Sequence, residues 1–112
     1  MSKPKQYSIK KPYIQKVLDI STGHVTQSDV MLLRSCAISD TAWGPIVMPY
    51  EEGVIVAVSS DDETFAADLI MWAGHFSKEF CKVISVAHDR GCTYVKFDQD
   101  GIEYTDLKVF NW

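Results

Sequence analysis

The residues best suited to chemistry are Ser21, Thr22, His24 and Thr26, four polar side chains within six positions. A hydroxyl beside an imidazole is the raw material of a nucleophile–base pair, in which the ring takes the proton as Ser21 or Thr22 attacks. The same stretch leads into a helical pattern. Free amides at that helix start favour an anion, so a phosphate could sit against Ser21, Thr22 and His24. Two things argue against catalysis. Ser-Thr-Gly-His matches no acyl-transfer signature, and no third residue is placed to orient the ring. There is also no Gly-rich phosphate loop. A plainer role for His24 is to hydrogen-bond the turn between a strand and a helix. Ser21, Thr22, His24 and Thr26 are therefore read as ligand-contacting residues, and no catalytic residue is assigned.

Other chemistry-bearing groups are weaker. Asp98, Asp100 and Glu103 cluster at a turn with Asp106 nearby, but no bidentate Glu follows at EF-hand spacing, so the cluster reads as a solvated turn. His75 and His88 lie thirteen residues apart with no close Cys ligand, which argues against zinc. No metal and no cofactor are expected. Cys36, Cys81 and Cys92 read as buried or reduced thiols. Trp43 sits in a Gly/Pro loop, where an exposed indole would anchor a partner. Glu51, Glu52, Asp61, Asp62 and Glu63 could form one negative rim that contacts a basic protein.

These residues need elements to hold them. Val17–Ser21 is β-prone. Thr26 can cap a helix over about 27–36, with Asp29 in its first turn and Val30, Leu33 and Ala37 on one face. Ile46–Met48, hemmed by Pro45 and Pro49, reads as a short edge strand. Val54–Val58 is apolar throughout and reads as a central strand, covered on both sides by helix or by helix and loop. Phe65, Leu69 and Trp72 recur at helical spacing. Ser77 can cap a further helix with Phe80, Val83, Ile84 and Ala87 as its stripe, closed by a left-handed Gly91. Thr93–Asp98 alternates as a strand. Ile102–Tyr104 and Leu107–Phe110 suggest a returning strand. The order β-α-β-β-α-α-β-β predicts an α+β domain with a mixed, mostly antiparallel sheet and two or three helices mainly on one face.

The totals bound the function. The chain has 112 residues, 46% hydrophobic and 23% charged, enough for one core. Residues 1–16 hold five lysines and no acid, and are read as a basic arm before a single domain at 17–112. The remainder holds six basic and fifteen acidic residues, a charge of −9. An acidic body does not attract phosphate backbones, so direct nucleic-acid binding is not expected. No apolar run approaches the roughly 20 residues of a membrane span, and no signal-peptide pattern follows the start. An odd cysteine count without Cys-x-x-Cys fits a reducing cytosol.

Three stretches resemble a family of small bacterial proteins often carried by plasmids, prophages and phages and grouped as a domain of unknown function. They are Ser21-Thr22-Gly23-His24-Val25-Thr26, Gly91-Cys92-Thr93-Tyr94-Val95-Lys96-Phe97-Asp98-Gln99-Asp100-Gly101, and the closing Leu107-Lys108-Val109-Phe110-Asn111-Trp112. Gly23 and Lys108 replace the family's Ala and Pro, and the stretch around 60–76 is longer. The resemblance implies a mobile-element accessory protein without supplying an activity. The expected function is binding of a host protein, for example a CRISPR or restriction defence complex. The alternatives are a nucleotide or phosphorylated-metabolite binder or enzyme at the Ser21–His24 turn, and a homodimeric structural or immunity-type protein.

Overall fold

Three side-chain caps start three helices. Thr26, Asp61 and Ser77 each accept the amide three residues on, opening α1 (Gln27–Ile38), α2 (Asp62–Ala73) and α3 (Lys78–Asp89). Each cap satisfies a donor that the helix itself leaves unpaired. The computed structural model describes residues 4–39 and 43–112. Its strands are β1 (Lys16–Ser21), β2 (Val47–Tyr50), β3 (Gly53–Ala57) and β4 (Cys92–Asp98), with a short 3-10 turn at Thr22–His24.

The sheet order is β1-β4-β3-β2. β1 runs parallel to β4, whereas β3 is antiparallel to both β4 and β2. The fold is thus the expected α+β domain with a mixed sheet. Period-two alternation sorts the sheet's faces. Ile20, Val54, Val56, Val95 and Phe97 point one way and are buried with Leu33, Phe80, Val83 and Ile84. α1 packs against β2 and β3, α3 against β4, and α2 against α3. Truncating Phe80 or Phe97, both fully buried, would cost about 3–5 kcal/mol.

Some expectations need correction. β3 is inner, as read, but only its Val54 and Val56 side is buried; Ile55 and Ala57 on the other side are half-exposed. Between α2 and α3 the chain leaves the helix, and Ser77 caps the new start, as its type indicated. Gly91 takes φ +77°, the left-handed position expected after α3. The returning strand at 102–110 is not there: residues 99–112 cross the end of the sheet as turns and irregular chain. The basic arm turns at Ile9 and Lys10, with the Lys11 amide donating to the Ser8 carbonyl at 3.0 Å.

Candidate functional site

The bend from β1 into α1 carries all four ligand-reading residues. Ser21 Oγ accepts the Gly23 amide at 3.0 Å and caps the 3-10 turn. Thr26 Oγ1 accepts the Asp29 amide, and the Asp29 carboxylate accepts the Thr26 amide, both at 3.0 Å. This reciprocal pair satisfies two donors of the α1 start. An incoming phosphate would meet the Asp29 carboxylate there, and the Val25 and Thr26 amides are already taken by the Thr22 carbonyl and by Asp29.

His24 is only 1% exposed. Its Nε2 accepts the Tyr104 amide at 2.8 Å, and its Nδ1 lies 2.8 Å from the Lys108 carbonyl. A carbonyl can only accept, so Nδ1 carries the proton and the ring is the Nδ1–H tautomer. The lone pair that a general base would use is spent on a backbone amide. Neither Ser21 nor Thr22 gains a base from this ring.

What His24 does is hold the C-terminal tail. The Ser21 amide donates to the Ile102 carbonyl at 2.8 Å, and the Phe110 amide to the Gly23 carbonyl at 2.7 Å. Trp112 Nε1 donates to the Val25 carbonyl at 2.9 Å, and the Tyr104 hydroxyl to the Asp19 carbonyl at 2.8 Å. Gly101 makes the approach possible: a Cβ there would lie 2.5 Å from the Ile20 carbonyl oxygen. The three stretches that carried the resemblance therefore meet in space, with Ser21 also paired to Asp98 across β1 and β4.

Asp29 is a central residue that sequence reasoning saw only in part. It is 2% exposed. Besides Thr26, it accepts the Ser77 amide at 2.8 Å and the Ser77 hydroxyl, while Ser77 Oγ accepts the Phe80 amide at 3.1 Å. One carboxylate thus serves the N-termini of α1 and α3, where both helix dipoles favour negative charge. The Thr26–Asp29 spacing signalled the local half. Nothing local signals Ser77, 48 positions away.

The remaining candidates are dispersed. Trp43 is half-buried, stacked on His75 at 3.9 Å, with its carbonyl accepting the Trp72 indole at 3.0 Å. Glu51 and Glu52 occupy the turn before β3, whereas Asp61, Asp62 and Glu63 follow it at the α2 start. They stand at opposite ends of β3 rather than on one rim. Asp61 is held below its usual range by the Thr64 hydroxyl and amide. Asp62 bonds His88 Nε2 at 2.8 Å, and His88 Nδ1 meets the Ser59 carbonyl at 2.9 Å. Burial works against charging this ring, but Asp62, Ser59 and the nearby Asp89 outweigh it and push its pKa up. Asp98 accepts the Tyr50 hydroxyl at 2.6 Å and the Asp100 amide at 2.8 Å, which hold it low. Among the described residues no cluster of three or more His, Cys, Asp or Glu is placed to hold a metal. Burial raises the Cys36 and Cys81 thiols, which favours their protonated form.

Two clefts flank the bend. One, of about 430 Å³, is lined by Ser21, Thr22, Arg34, Glu51, Glu52 and Trp112 among others. The other, of about 320 Å³, lies between α3 and the tail, and Lys78, Glu79, Lys82 and Lys108 line it beside His24, Val83 and Leu107. No helix among the described residues is long and apolar enough to cross a membrane.

Residues 17–112 match the C-terminal domain of DUF5983, a family of unknown function, and the chain belongs to that family. No curated protein and no solved structure matches it.

Proposed function

Starting from membership of a family with no established activity, we propose that this domain acts by binding a protein partner without turnover. The supporting observation is that both ring nitrogens of His24 are committed to the tail backbone. The one histidine among the reaction candidates is thereby a structural staple. The 430 Å³ cleft is the surface best suited to recognition. It joins Glu51 and Glu52 to the half-exposed indole of Trp112, an arrangement that fits a basic side chain against an aromatic face. Together with the resemblance to mobile-element proteins, this points to a basic surface on a host protein, such as a nucleic-acid-handling defence complex. The test is affinity capture from bacterial lysate, repeated with Glu51→Lys/Glu52→Lys. A stoichiometric partner that the double variant loses supports the reading. No partner, or one equally retained by the variant, contradicts it.

A second reading has its own observation. Lys78, Lys82 and Lys108 outnumber the one acid, Glu79, around the cleft beside His24, so a small anion could bind there, rather than at the α1 start. Thermal-shift screening with nucleotides and phosphorylated metabolites checks it. A ligand at 100 times its Kd stabilises by about 2.7 kcal/mol, and Lys82→Glu should abolish that shift.

A further inference from the structure

The sheet has one helix-covered face and one that no helix among the described residues covers. On that open face the cross-strand rows run Val17–Tyr94–Ala57 and Asp19–Lys96–Ile55–Met48, with Asp98 and Tyr50 beyond. Val17 is 51% and Met48 41% exposed. The face thus carries Val17, Ile55, Ala57 and Met48 around a central Lys96, whose amine lies 3.9 Å from Asp98; Asp19 at the β1 edge is exposed. Leading into its β1 edge is the arm. Residues 4–15 are all exposed, among them Tyr7, Ile9, Tyr13 and Ile14, the last at 78% and Ile9 at 89%. The arm carries Lys5, Lys10 and Lys11 and no acid, whereas the rest of the chain is strongly acidic.

Two surfaces with exposed apolar side chains, a basic arm and a sheet face with Asp19 at its edge, are therefore left bare on one chain, and its own arm does not cover its own sheet. We propose that this face is a dimer interface, occupied by the arm of a second copy in a reciprocal exchange. An arm of twelve residues reaches roughly 40 Å when extended, and four strands span only about 14 Å at ~4.8 Å spacing. Each arm can therefore cross the partner's sheet, set its isoleucines on Val17, Ile55 and Met48, and bring a lysine to the exposed Asp19. A two-fold arrangement closes the assembly, since each copy gives one arm and receives one. The interface lies on the sheet face away from the helices, and it stands or falls independently of the protein-binding cleft.

Sedimentation velocity on the full chain, across concentration, tests it. The wild type should sediment as a dimer. Ile9→Glu/Ile14→Glu, changed only at exposed positions, should sediment as a monomer with unchanged circular dichroism and melting temperature. Met48→Glu on the receiving face should do the same. A monomeric wild type, or a dimer that survives either variant, overturns the proposal.

Discussion

His24 and His88 are both pinned by two hydrogen bonds, but with opposite polarity. His24 gives one and receives one, holding a tail to a bend. His88 faces two acceptors, the Asp62 carboxylate and the Ser59 carbonyl, and stacks on Phe65 at 4.0 Å. The first arrangement suits a neutral ring and the second suits an imidazolium. The difference extends to their surroundings. The ring of His24 is sealed and its partners are backbone groups far along the chain. The partner of His88, Asp62, has a side chain that is 95% exposed, so solvent screens the pair. The same side chain thus serves as a tertiary staple at one end of the molecule and as a titratable surface clasp at the other.

The strongest challenge to this contrast is His24→Ala. It strands the Tyr104 amide and the Lys108 carbonyl and opens a cavity, and should cost about 2–4 kcal/mol by denaturant unfolding. A loss under 1 kcal/mol would remove the staple from the account. Asp29→Ala should come close behind, at about 2–3 kcal/mol, because both helix starts lose their acceptor; equilibrium unfolding checks this. Gly101→Ala should cost about 1–3 kcal/mol through the clash with the Ile20 carbonyl. Its signature would be faster amide exchange in 102–112 with the α2–α3 region unchanged.

The smallest effect belongs to His88. Its folded pKa lies above the ordinary 6.5. The stability it adds is whole below that value and fades as pH rises through the folded value. His88→Gln should therefore flatten stability between pH 6 and 8 relative to wild type, by less than about 1 kcal/mol. A wild type that gains stability across that range, or a variant with the same slope, would break the assignment.

Local chemistry was legible in the sequence. Thr26, Ser77 and Gly91 act as the caps their types and neighbours indicated, and Pro49 stands on an edge strand. Each is decided within about four residues by backbone geometry or one side-chain bond. The site was not legible in the same way. Leu107–Phe110 looks like a strand because it alternates, yet its backbone pairs with His24 and Gly23, more than 80 positions away. The two bonds that Ser77 donates to Asp29 have no local signature either. His24 stood out for its neighbours in sequence, and the partners that decide its role come from the other end of the chain.

The most direct test of the staple is the tautomer of His24, read from its ring nitrogen chemical shifts and couplings by NMR. The account predicts a proton on Nδ1 and a hydrogen-bonded, unprotonated Nε2. An Nε2–H ring, or the fast-exchanging mixture of a solvent-facing imidazole, would contradict it and return His24 to the list of groups free to react.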